Sequence, residues 1–148
     1  MDMQPFIEAL RQSWIAETSY VPAEWSHENP ARGQCAVSSL VLQDHLGGDI
    51  RRSKTTFQGK RESHFYNVLE NGEVFDATRE QYPDNVGLEE APVILEGFTS
   101  IREMLLNDAD NARKYGVLRE LVQVALAQSG ARDPAKSERP CVLSDRSK

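Results

Sequence analysis

Residues 33–48 read GQCAVSSLVLQDHLGG, a mostly apolar run that opens near a cysteine and closes on two glycines. Ala36, Val37, Leu40, Val41, Leu42 and Leu46 put apolar groups on most faces of a helix spanning Cys35 to Leu46. The Gly47-Gly48 pair suits a helix C-cap. A helix apolar nearly all round belongs at the centre of a domain. Gly33, just upstream, allows a tight turn into that helix. The central element is therefore expected to begin on Cys35.

Downstream of the glycines the pattern changes. DIRRSKTTF (49–57) alternates weakly and carries Thr55, Thr56 and Phe57, which favour a strand. SHFYNVLE (63–70) and EVFDAT (73–78) flank Asn71-Gly72, a hairpin signal. Residues 79–97 contain Pro83, Gly87 and Pro92 and read mainly as loop. Ser100-Ile101-Arg102-Glu103 has the capping-box pattern of a helix start. A last helix is expected over about 109–128, with the stripe Ala112, Tyr115, Leu118, Leu121, Val122 and Ala125.

Upstream, Pro5 suits a first helical turn, and Phe6, Ile7, Leu10, Trp14 and Ile15 recur at helical spacing over 5–16. Residues 18–33 hold Pro22, Pro30 and Gly33 and read as an irregular connection anchored by Trp25. The expected architecture is α+β, a central Cys-bearing helix packed on a small antiparallel sheet with flanking helices. One domain over 1–130 and a polar, flexible tail over 131–148 are expected.

The composition narrows the function. Net charge is −6 and the charges are mixed along the chain, which argues against nucleic acid or an anionic membrane as partner. Two cysteines, Cys35 and Cys141, are too few for a disulfide framework, and neither belongs to a CxxC pair. No basic, apolar leader opens the chain, and no run reaches a membrane span. A reducing cytoplasm is the expected setting, with free thiols available for chemistry and no cofactor.

The chemistry starts from Cys35. A free thiol has a pKa near about 8.5, and the unpaired N–H groups and dipole of a helix N-terminus favour its thiolate. The bland alternative is a small buried apolar residue. A nucleophilic thiol needs an imidazole base. His45 lies ten residues along the same helix, about 15 Å away along the axis, and suits the helix C-terminus instead. His27 sits in the upstream loop with nothing nearby to orient it. His64, near the start of the first hairpin strand, is the candidate base.

An acceptor must then fix the imidazole tautomer, and Asp76 on the returning strand is the candidate. Register decides. A two-residue Asn71-Gly72 loop would put Asp76 opposite Asn67, on the face away from His64, and Asn67 would become the rival orienter. A three-residue loop, Glu70-Asn71-Gly72, pairs Leu69 with Glu73 and sets Tyr66 opposite Asp76. His64 and Asp76 then share a face as diagonal neighbours. The triad therefore requires the three-residue loop. For an oxyanion, the Cys35 N–H is one donor, with Gln34 and Trp25 as candidates for a second.

GQCAVSSLVLQDHLGGDIRR followed by SHFYNVLENGEVFDATREQY resembles the bacterial YunG-like family, with its G-x-C-A…Q-D…G-G, H-x-x-N and D-x-T-R-x-Q patterns. The likeness covers about residues 30–82, with a looser one in the SIREMLL and RKYGVLREL helices. More widely the chain resembles the papain-like and transglutaminase-like superfamily, in which a core helix begins with Cys and packs on a sheet carrying His and Asp. That resemblance implies nucleophile, base and orienter roles for Cys35, His64 and Asp76. The expected function is cysteine-dependent acyl transfer on a small-molecule or peptide amide or thioester. The alternatives are a non-catalytic binding domain relying on an exposed aromatic such as Tyr82, and a Cys-His-Asp zinc site, for which no close ligand pair exists.

Overall fold

The computed structural model describes residues 3–131 except Val93. Four helices and four strands follow in the order α1 (Gln4–Ser13), α2 (Cys35–Leu46), β1 (Asp49–Phe57), β2 (Lys60–Val68), β3 (Val74–Phe75), β4 (Glu89–Glu90), α3 (Ile101–Asn107) and α4 (Ala109–Ala131). The strands form one antiparallel sheet in the order β3-β2-β1-β4. The fold is α+β. The expected tail, apart from Ala131, lies outside the described residues, as does Cys141.

Helix α2 is the centre, as its all-round apolarity requires. Every residue from Cys35 to Leu42 is buried, and only the last turn emerges. Leu40 and Leu42 join Leu10 of α1 and Leu118 of α4 among the fully buried side chains. Losing one such leucine to alanine costs roughly 2–5 kcal/mol, so this layer holds α2 immobile. α1 ends at Ser13, three residues short of the helix expected over 5–16. The Ser13 hydroxyl donates to Ala9 O at 2.7 Å, and Trp14 is already extended, its indole donating to Ser38 of α2 at 2.9 Å.

The sheet departs from the sequence pattern in two places. β2 begins at Lys60 rather than Ser63, because Gln58 and Gly59, both at positive φ, close a two-residue hairpin with β1. β4 lies inside the 79–97 stretch read as loop. Glu89 and Glu90 pair with Lys54 and Ser53 on the edge of β1. An acidic dipeptide carries no strand propensity, so only the open edge explains this pairing.

The second hairpin takes the three-residue form. Leu69 N donates to Glu73 O at 2.8 Å and Gly72 N to Leu69 O at 2.9 Å, with Gly72 at φ +89°. Val68 and Asn67 pair with Val74 and Phe75. β3 is shorter than the strand expected over 73–78. Past Phe75 the Asp76 carboxylate accepts from Thr78 N at 3.3 Å, and a 3₁₀ turn over Arg79–Gln81 follows. α3 is capped by Ser100, whose hydroxyl accepts from Glu103 N at 3.0 Å. Glu103 reaches back to Thr99 N rather than to Ser100 N.

Candidate active site

The hairpin register brings His64 and Asp76 together. The imidazole Nε2 lies 2.7 Å from Asp76 Oδ2, and the ring has no solvent exposure. Cys35, the first residue of α2, lies close enough to the same imidazole to raise its pKa. Cys35 is 8% exposed and lines a cavity of about 450 Å3 with Val21, Ser63, Phe65, Leu105 and Gln81. The thiol is therefore neither sealed among aliphatic groups nor separated from the ring.

Gly33 shapes the entry to α2. Its φ is +78°, and a Cβ there would lie 2.2 Å from the Ser19 hydroxyl, so the chain approaches the loop at 19–21 too closely for any side chain. Tyr20 N donates to Gly33 O at 2.8 Å and holds the two segments together.

Burial alone would push the His64 imidazole down, and this is the largest single influence on it. The hydrogen bonds to Asp76 and Cys35, with the charges of both, outweigh burial and raise its pKa from 6.5 to about 9. The pocket thus favours imidazolium beside the Cys35 sulfur.

Behind the ring lies a polar network that sequence reasoning missed. Arg32 is buried and donates to Glu24 Oε1 at 2.7 Å, Glu62 Oε2 at 2.7 Å and Gln81 Oε1 at 3.1 Å. Tyr82 donates its hydroxyl to Glu62 Oε2 at 2.5 Å, and its ring centroid lies 5.4 Å from that of His64. Burial, then the bond to Glu62, raise the Tyr82 phenol. Glu62 moves the other way. Burial would raise it, but Arg32 and Tyr82 together hold it below the usual carboxylate value. Tyr82 is 3% exposed, so the expected exposed aromatic is instead Tyr20, 70% exposed on the rim of the cavity. The D-x-T-R-x-Q pattern contained Gln81, but nothing local marked it as a neighbour of His64.

The other candidates lie apart from the thiol. Asn67 sits on the face opposite His64 and donates to Ser39 O at 3.1 Å. Gln34 is fully buried, with Nε2 donating to Ile15 O at 2.9 Å and Oε1 accepting from Thr18 at 2.8 Å. Trp25 donates its indole N–H to Pro30 O at 2.9 Å. Both side chains brace the 15–34 connection, the Gln34 amide through Ile15 O and Thr18 and the Trp25 indole through Pro30 O. His45 stacks on Phe6 at 4.0 Å, and His27 meets Trp25 edge-on. Among the described residues no cluster of three or more His, Cys, Asp or Glu could hold a metal ion. Nor, among them, is any helix long and apolar enough to cross a membrane.

Fold and site together define an α+β domain with a helix-start cysteine near a strand-borne histidine, which is paired with an aspartate just past β3. The chain belongs to the YunG protein family, whose profile matches residues 2–127. It is 38% identical over 111 residues to the "Uncharacterized protein YunG" of Bacillus subtilis (strain 168), covering 75% of this chain and 83% of that relative. No solved structure shows a significant match.

Proposed function

We propose that this protein is a cysteine-dependent acyl-transfer enzyme with a papain-like core, acting on an amide or thioester in a reducing cytoplasm. The observation that carries this reading is the buried His64 imidazole bonded to the Asp76 carboxylate, with the Cys35 thiol beside it at the wall of a cavity. Structural histidine–carboxylate pairs are common. One that also lies beside a helix-start thiol lining open space has the parts that nucleophilic catalysis needs.

In the reaction the Cys35 proton moves to His64, and the sulfur electron pair attacks the carbonyl carbon. The tetrahedral oxyanion collapses as imidazolium protonates the departing amine or thiol, leaving an acyl-thioester on Cys35. Water or an amine, deprotonated by His64, then releases the acyl group. Asp76 keeps Nε2 protonated throughout and offsets the imidazolium charge. The Cys35 backbone N–H, at the first position of α2, is available to the oxyanion.

Alkylation with iodoacetamide at a series of pH values, read by mass spectrometry, tests this. Cys35 is expected to label well below pH 8, and His64→Ala to slow labelling by about two orders of magnitude. Slow labelling of Cys35, equal to that of Cys141 and indifferent to His64→Ala, would rule the reading out. Profiling with acyl and amide electrophiles against a Cys35→Ala control then identifies the substrate class.

A second reading, a binding domain that keeps this scaffold without catalysis, draws on Tyr20 at the cavity rim. It requires Cys35→Ser to leave the cellular role intact while Tyr20→Ala abolishes it.

A further inference from the structure

One side chain in the cavity wall joins the Arg32 network to His64 without belonging to the triad. Gln81, 2% exposed, ends the 3₁₀ turn at Arg79–Gln81. Its Oε1 accepts from Arg32 Nη1 at 3.1 Å and from the backbone N–H of Gly33 at 3.1 Å. Its Nε2 donates to His64 Nδ1 at 3.3 Å and to the Thr78 hydroxyl at 3.4 Å.

The amide cannot be turned round. Two N–H donors, one a guanidinium, converge on one end of it, and only the oxygen can accept from them. The NH2 end therefore faces the imidazole. An amide NH2 has no acceptor, so its contact with Nδ1 is favourable only while Nδ1 carries a lone pair. The other ring nitrogen, Nε2, must then hold the proton, and it has Asp76 to donate to. Gln81 and Asp76 together pick out one neutral tautomer, the one whose lone pair lies on Nδ1 and can take a proton in the proposed reaction.

Proton transfer reverses the sign of the Gln81 contact. When the Cys35 S–H bond breaks and Nδ1–H forms, the electron pair stays on sulfur, and two donors face each other across 3.3 Å. The carboxamide must then withdraw toward Thr78. Asp76 and Gln81 thus act in opposition on the same ring, one favouring imidazolium and the other resisting it.

We propose that Gln81 is a positioning residue that holds His64 in its proton-accepting tautomer and sets how readily the imidazolium forms. The consequence for catalysis rests on the function proposed above, but the effect on His64 does not need Cys35 to react. The charged and titratable groups around the ring are Cys35 from α2, Asp76 beyond β3, Glu62 on β2, Tyr82 after the 3₁₀ turn, and Arg32 behind Gln81. Arg32 is balanced by Glu24 and Glu62, so exchanging residue 81 alters the ring's immediate partner and leaves those pairs in place.

The test is an NMR titration of His64 in the full chain carrying Cys35→Ala, which removes the thiol's own ionisation, with Gln81 retained or exchanged for methionine or glutamate. Gln81→Met removes the donor, and its midpoint is expected to rise by about 0.5–1 pH unit, roughly three- to tenfold in proton affinity. Gln81→Glu keeps an acceptor for Arg32 and Gly33 and offers Nδ1–H a carboxylate, so its midpoint is expected to rise by more than about 1 unit. Imidazole 15N shifts above the midpoint should show the Nε2–H form alone when Gln81 is present and a mixture of tautomers in the Gln81→Met variant.

Midpoints in both variants within about 0.2 unit of the chain that keeps Gln81, or below it, would overturn the proposal, because a purely structural glutamine would not move them. If Gln81→Met fails to fold, Gln81→Glu decides alone. The acyl-transfer reading fails separately, through slow Cys35 labelling in a chain whose His64 still responds to residue 81.

Discussion

The two ends of α2 are built from the same three kinds of side chain and do different things. At the C-terminal end Arg102 donates to Asp44 Oδ1 at 2.7 Å, and Tyr115 donates its hydroxyl to Asp44 Oδ2. Arg102 also caps the helix, donating to Leu40 O at 3.3 Å and Gln43 Oε1 at 3.0 Å. At the N-terminal end Arg32, Glu62 and Tyr82 repeat the arginine–carboxylate–tyrosine set.

The difference lies in what each set is attached to. The Arg102 set ties the last turns of α2 to α3 and α4 through Leu40 O, Gln43 and Asp44. The Arg32 set leads through Gln81 to an imidazole beside a helix-start thiol at the wall of a cavity. A polar cluster at a helix end is thus not by itself a mark of function. A titratable group with a raised pKa beside a cavity is the better sign.

Paired removal of the two arginines should give the largest effect and most directly challenges this contrast. Arg32, with 5% side-chain exposure, takes with it the one guanidinium that Glu24, Glu62 and the Gln81 oxygen share when cut to alanine. The expected loss is about 3–5 kcal/mol in urea unfolding. Arg102 is 29% exposed, and its loss is expected to cost about 1 kcal/mol. Equal losses would break the distinction.

The next effect concerns pH. His64 has its pKa raised to about 9 from 6.5, so its contribution to stability is complete below about pH 6.5 and is lost as pH rises through about 9. Asp76→Asn removes the foremost influence that raises it. The decline in melting temperature between pH 6.5 and 9 should become shallower in that variant, and an unchanged slope would disconnect Asp76 from the imidazole.

The smallest expected effect sharpens the comparison from the other end. His45→Ala loses the stack on Phe6, worth about 0.5–1 kcal/mol, and should leave iodoacetamide labelling of Cys35 unchanged. A change in labelling would mean that the two ends of α2 communicate.

Much of this arrangement was legible in residue order. The central helix followed from an apolar run closed by Gly47-Gly48, and the second hairpin from Asn71-Gly72. Requiring His64 and Asp76 to share a face singled out the loop length that the structure contains. These readings succeed because periodicity and turn chemistry are local.

The misreadings have one cause as well. β4, the buried Tyr82 and the inward commitments of Gln34 and Trp25 depend on partners far away in sequence, which no window of neighbours displays. The amino-acid order by itself determined the helix that begins on Cys35 and the strand turn that faces His64 toward Asp76, since both arise from backbone preferences within a few residues. Only the tertiary structure decided that Arg32 and Gln81, 49 residues apart, meet behind the imidazole, because a buried guanidinium and a buried amide find their hydrogen bonds through packing.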